Sequence, residues 1–194
     1  MPARRLVVGL GNPGDRYRHT RHNVGFRVVE ELAERWRLDW RTDLCSARFA
    51  AGRPADLAAP QTYMNRSGWS VRCLVERYGY EPAALLIVFD DVALPLGTIR
   101  MRGRGRPAGH RGLESVIESL RTAEIPRLRV GVGPREGEVG GELAEYVLDE
   151  FGKDEEELVA RVVARAAEAV ASWIERGLGE TMNEFNGEVV ATGA

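Results

Sequence analysis

The chain is short of lysine, histidine, cysteine and long apolar runs. Lys153 is its only lysine, and His19, His22 and His110 are its three histidines. The near-absence of lysine carries no functional information. The histidines show no metal-binding spacing, and Cys45 and Cys73 stand 28 positions apart, so no cluster of four zinc ligands is evident. No serine sits in a G-x-S-x-G elbow, and neither cysteine has a local catalytic context. No apolar run approaches the roughly 18 residues of a membrane span. The N-terminus passes from Arg4-Arg5 straight into a short strand-like run, without the apolar region of a secretory leader. These absences predict a cytoplasmic chain with two free thiols, no metal and no membrane contact.

What is present is an ordinary globular composition with an uneven charge. Hydrophobic residues make up 44% and charged residues 29% of 194 residues, enough for one domain over 1–194 with a sizeable core. Residues 1–134 carry 22 Arg and 14 acidic residues, and residues 135–194 carry 4 Arg, 1 Lys and 15 acidic residues. The net charge of −2 therefore hides a basic part and an acidic part, a polarity that suits a polyanionic partner. A solvated acidic helix face gives the same count, so charge alone does not decide.

Apolar periodicity alternates between strand and helix. Leu6-Val7-Val8 reads as a strand ending in glycine, and Leu85–Phe89 as a strand buried on both faces. Arg48–Ala51, Asp56–Ala59, Thr98–Met101 and Leu128–Val132 are further strand candidates. Val24–Trp36, Ser67–Tyr78, Leu113–Leu120 and Asp154–Arg176 have helical spacing. Strands interleaved with helices predict an α/β fold with a mixed, mostly parallel sheet flanked by helices.

Polar residues collect at the strand ends. Gly9-Leu10-Gly11-Asn12-Pro13-Gly14 fits G-x-G-x-x-G, but a phosphate loop should open directly into a helix. Here Asp15–Arg21 is polar and without an apolar stripe, so the glycines are read as a tight turn leaving Asn12 exposed at the strand end. His22 precedes the first strong helix, and a lone histidine there would be a surface or capping residue. Asp90-Asp91 ends the strand Leu85–Phe89. Open α/β sheets gather their sites at the carboxyl ends of strands, so parallel neighbours would bring Asn12, His22 and one aspartate together. A carboxylate beside an imidazole fixes its tautomer and supports its cationic form, as a general-base pair needs. Alternation alone does not decide which aspartate points inward. Asn65 or Ser67 suits a helix cap or an oxyanion contact, and Met64 suits the core. Arg100–Arg111 holds five arginines among glycines, as in a phosphate-contacting lid or a flexible surface loop. A water activated by a base is favoured over a covalent nucleophile or a metal.

In this order the segments resemble the bacterial peptidyl-tRNA hydrolase family. The match runs from Leu6 to Asn186. It includes Gly9–Gly14, Thr20-Arg21-His22-Asn23-Val24-Gly25, Thr62-Tyr63-Met64-Asn65-Arg66-Ser67-Gly68, Asp90-Asp91 before Leu94-Pro95-Leu96-Gly97, Gly109-His110-Arg111-Gly112-Leu113 and Arg127–Gly133. The resemblance implies a cofactor-free monomer that hydrolyses the ester between a peptide and the 3′ end of tRNA. It implies His22 as base, Asp90 as its partner, and Asn12 and Asn65 as amides holding substrate or water. It also implies Tyr17 and Met64 as walls, His110 on the lid side, and Arg102 and Arg129 on tRNA phosphates. Arg111 departs from the family pattern, which often has asparagine there. A non-hydrolysing RNA-splicing factor of the same fold is the alternative, disfavoured by the presence of Asn12, His22 and Asp90.

Overall fold

The computed structural model describes residues 4–188 except Leu44. Its strands are β1 (Leu6–Gly9), β2 (Arg41–Asp43), β3 (Ala47–Ala50), β4 (Asp56–Pro60), β5 (Leu85–Pro95), β6 (Thr98–Arg102), β7 (Arg127–Gly133) and β8 (Gly187–Glu188). They form one sheet in the order β2-β3-β4-β1-β5-β7-β6-β8. The centre, β4-β1-β5-β7, is parallel, and the strands on either side are antiparallel. The sheet is therefore mixed and the fold is α/β, as expected from the sequence.

Both faces of the central strands are covered, which is why Leu85–Phe89 is apolar at every position. The helices are α1 (Val24–Trp36), α2 (Ser67–Tyr78), α3 (Arg111–Leu120), α4 (Leu143–Leu148), α5 (Glu156–Arg176) and α6 (Leu178–Phe185). Val7, Leu86, Val88, Leu128 and Val130 meet Val28 and Leu32 of α1 and Val162, Ala166 and Val170 of α5 on one face. Leu6, Val8, Leu85, Ile87 and Phe89 meet Val71 and Leu74 of α2 and Leu113 and Val116 of α3 on the other. The two-residue periodicity of β1 and β5 thus divides the core into two layers.

Sequence periodicity places α1 and α2 at the bounds observed. β5 runs on past Phe89 because it stays paired with β7 to Asp91, and again at Pro95 after an irregularity. Asp90 and Asp91 lie inside the strand, not after it. The expectation of two free thiols is overturned: Cys45, in the turn before β3, is disulfide-bonded to Cys73 of α2, with Cα atoms 5.4 Å apart. The separation along the chain gave no hint of this, because only the packing of α2 over β3 brings the two residues together.

Candidate active site

The chain leaves β1 through Gly9. A β-carbon there would sit 2.2 Å from the Gly25 carbonyl oxygen, and one on Gly25 would sit 2.5 Å from the Val88 carbonyl oxygen. These glycines let strand end and helix start meet backbone to backbone. α1 begins only at Val24, beyond the 3-10 turns Asp15–Tyr17 and Arg21–Asn23, so the glycine turn does not open into the helix N-terminus that a phosphate loop needs.

Asn12 comes next, and it is buried rather than exposed. The Asn23 side chain accepts the Asn12 backbone N–H at 2.8 Å and donates to the Asn12 carbonyl at 2.9 Å. It acts as one more ladder partner beyond the end of the strand. The Asn12 side-chain oxygen accepts the Met64 backbone N–H at 2.7 Å. Its Nδ2 is thereby left as the group that can donate to a ligand.

His22 sits on a 3-10 turn, Arg21–Asn23, immediately before α1. Arg21 pins this turn from outside. Its backbone N–H donates to Asp149 at 3.0 Å, and its guanidinium donates to the Glu150 carbonyl at 2.6 Å and to Glu155 at 2.8 Å. The guanidinium also lies 4.5 Å from the Tyr146 ring centroid. On the inner side, His22 Nδ1 lies 2.8 and 2.9 Å from the two carboxylate oxygens of Asp90. A carboxylate only accepts, so Nδ1 carries a hydrogen, and in the neutral ring the lone pair lies on Nε2.

Asp90 also receives His110, whose Nε2 lies 2.8 Å from Oδ1. His110 Nδ1 accepts the Leu113 backbone N–H at 3.1 Å, capping α3. With Nδ1 acting as acceptor, Nε2 bears the hydrogen and donates to Asp90. One carboxylate thus fixes two imidazoles. Burial pushes the Asp90 pKa up, but the facing His110 and His22 and their hydrogen bonds outweigh it and hold the carboxyl well below the usual carboxylate range. Of the two aspartates it is Asp90 that meets the imidazoles, while Asp91 pairs with Arg129 elsewhere on the wall of the same cleft.

The donor atoms of His22, Asp90 and His110 lie within 4.8 Å of one another, a spacing that three ligands of one ion would have. The tautomers oppose an ion there. A metal on His110 Nε2 would move the ring hydrogen to Nδ1, against the Leu113 N–H. A metal on His22 Nδ1 would leave Nε2 protonated and without its lone pair. The group is built as a hydrogen-bonded set.

These residues open onto a cleft of about 760 Å³. Its wall includes Asn12, His22, Met64, Asn65, Asp90, His110, Arg102 and Arg129, all singled out in the sequence. Tyr17 is the exception: it stands half-buried outside the cleft wall, under the Arg16 guanidinium at 4.4 Å. The sequence did not single out Tyr63, or Leu143 and Leu148 of α4, which add exposed apolar surface to the rim. The signal available was Tyr63 beside Met64-Asn65; α4 is too short to show a period. Arg104, Arg106 and Arg111 also line the cleft, so the arginine-rich loop faces it.

A family model described as peptidyl-tRNA hydrolase matches residues 6–192. A peptidyl-tRNA hydrolase of Chloroflexus aggregans is 44% identical over 186 residues, covering 93% of this chain and 98% of the relative. One from Synechococcus sp. (strain JA-3-3Ab) is 44% identical over 189 residues, covering 95% and 83%. The crystal structure of peptidyl-tRNA hydrolase from Acinetobacter baumannii superposes with a TM-score of 0.89 at 31% identity, covering 96% of this chain and 97% of that one.

Proposed function

Because the chain belongs to the peptidyl-tRNA hydrolase family, we propose that it cleaves the ester between a peptide and the 3′-terminal ribose of tRNA with His22 as general base. The observation that carries this is the Nδ1 bond of His22 to the buried Asp90 carboxylate, which assigns Nε2 as the basic nitrogen of the neutral ring.

Water attacks the ester carbonyl carbon as His22 Nε2 takes its proton. Asp90 stabilises the imidazolium that forms. The carbonyl oxygen gains negative charge, and Asn12 Nδ2 is placed to donate to it, because its Oδ1 is held by Met64. Collapse of the tetrahedral intermediate breaks the bond to the ribose oxygen, which leaves with the proton from Nε2. The products are tRNA with a free terminal hydroxyl and a peptide carboxylic acid, which ionises by releasing its proton to solvent. Asn65 and Met64 hold the ester region, His110 fixes Asp90 from the lid side, and Arg102 and Arg129 meet tRNA phosphates. We take the working unit to be a monomer in the cytoplasm, where translation supplies this substrate.

The test is cleavage of a defined N-blocked aminoacyl-tRNA against its unblocked form, by wild type and by His22→Ala. Preference for the blocked substrate, lost turnover in His22→Ala and retained tRNA binding are expected. Full activity in folded His22→Ala would sink the assignment.

A further inference from the structure

Arg127 is among the largest fully buried side chains of the protein, at 2% exposure. All three of its nitrogens donate to backbone carbonyls. Nε donates to Ile125 at 3.0 Å, Nη1 to Gly105 at 2.6 Å and Nη2 to Ala123 at 2.8 Å. Gly105 belongs to the arginine-rich lid that joins β6 to α3. Ala123 and Ile125 belong to the loop that leaves α3 for β7. One guanidinium therefore ties together the two loops that flank α3.

Its charge has no carboxylate partner within 4.0 Å among the described residues. The nearby Glu124 pairs instead with Arg104 at 3.5 Å. Across the β6–β7 pairing, Arg102 stands opposite Arg127 and Arg100 opposite Arg129. Like charges facing each other across a strand pair are destabilising, and a buried guanidinium without a counter-ion adds to the cost. Burial, and then the charge of Arg129, pull the Arg127 pKa down, and the charge of Glu124 offsets this only in part. Three carbonyls alone would be satisfied by neutral donors. A permanent cation set behind surface arginines is favoured where a polyanion supplies the missing charge.

The lid is otherwise lightly held. Among the described residues from Gly103 to Gly109, side-chain bonds to the rest of the fold are those of Arg127 to Gly105 and of Arg104 to Glu124, the second between exposed groups. Arg104 and Arg106 flank Gly105 and are themselves exposed on the cleft wall. We propose that Arg127 is a positioning residue that clamps Gly105, so that Arg104 and Arg106 converge with Arg102 and Arg129 on the phosphates of the bound tRNA. This rests on the reading of the cleft as a tRNA site.

Trypsin gives a direct view of the lid. It can cut after Arg104, whereas Arg106 precedes Pro107 and resists. Arg127→Lys keeps the charge but loses the three-way fork, and Arg127→Met loses both. In Arg127→Lys we expect KM for an N-blocked aminoacyl-tRNA to rise about tenfold, with kcat within about twofold. Cutting after Arg104 should be faster than in wild type, and uncharged tRNA should slow it. Arg127→Met should show the larger KM rise and a weaker dependence of KM on salt. An unchanged KM and cutting rate would overturn the proposal. So would a parallel fall of kcat and kcat/KM that tracks lowered thermal stability, as a merely structural role predicts. If neither variant folds, the doubly exposed Arg104→Ala/Arg106→Ala variant decides, since a KM equal to that of wild type overturns the proposal too. A wild type that does not hydrolyse the substrate would instead defeat the functional reading, while the cutting rates without tRNA would still decide whether Arg127 holds the lid.

Discussion

Two neighbouring regions of the cleft are built on opposite terms. At the corner proposed as catalytic, Asn12, Asn23 and Asp90 are buried; the amides bond each other and backbone, and the carboxylate bonds the two imidazoles. At the arginine edge, two pairs of like charges face each other across β6 and β7. Asp90 and Asp91 are adjacent in β5, yet one serves each region: Asp90 holds the imidazoles and Asp91 holds Arg129. Strand alternation makes this division possible, since successive side chains leave opposite faces. The corner spends its interactions on position, which a proton transfer needs to within tenths of an ångström. The edge gives up local stability for field, which a polyanion can neutralise from a distance.

The sharpest way to break this comparison is at the proposed base. His22→Ala should lower kcat about 10²- to 10⁴-fold with little change in tRNA affinity, measured by single-turnover hydrolysis beside a binding titration. A comparable loss in affinity would mean that the corner also binds, and the division would fail. Asp90→Asn should approach the same loss. Its amide carries no charge to stabilise the imidazolium, and an Nδ2 in place of Oδ2 would set a donor 2.9 Å from His22 Nδ1, against the tautomer that a base needs. The same substitution has a signature in stability. The Asp90 carboxyl is held below the value it has in the unfolded chain, about 3.9 for a free aspartate. Its contribution is therefore complete above that pH and drains away as pH falls below it, towards the folded pKa. Urea unfolding between about pH 5 and pH 2 should show a steep loss in wild type and a shallower one in Asp90→Asn. Equal slopes would mean that the two histidines do not hold the carboxylate ionised.

The arginine edge should answer differently. Arg102→Ala is expected to raise KM several-fold, leave kcat nearly intact and reduce the salt slope of binding by about one unit. Arg129→Ala should do the same, with an added cost from leaving Asp91 without its partner. Filter binding across a salt series separates the two effects. A fall in kcat without a change in slope would place these residues with the corner.

Much of the corner was legible from residue pattern. Helix period gave α1, the apolar run gave β5, and the rule of strand carboxyl ends joined Asn12, His22 and an aspartate. Choosing Asp90 over Asp91 required knowing which face α1 covers, because Asp90 shares parity with Leu86 and Val88 on that face. The bond from His110 to Asp90 was hidden by the length of the lid, whose path composition does not determine. Asn23 was hidden for another reason: its role is to bond backbone, and many polar residues can do that. Nor did any local signal reveal the buried Arg127, which reads in sequence as one more arginine of a basic strand. Short α4 and the disulfide depend wholly on tertiary contact.

That disulfide supplies the smallest expected effect, and a test of whether the corner is rigid by its own bonds. It joins the turn before β3 to α2, and α2 follows directly from the turn that carries Met64 and Asn65. Closing a loop of this size is worth roughly 3–4 kcal/mol in chain entropy. Reduction, or the Cys45→Ala/Cys73→Ala variant, should therefore lower Tm by on the order of 10 °C. The hydrogen bonds that fix Asn12, His22 and His110 do not pass through either cysteine, so kcat at 25 °C should stay within about twofold. Calorimetry with and without dithiothreitol, beside the hydrolysis assay, measures both quantities. A tenfold fall in kcat well below the reduced Tm would show that the corner borrows its geometry from the body of the fold. Unchanged kcat with a lowered Tm would place its rigidity in the short bonds among Asn12, Asn23, His22, Asp90 and His110.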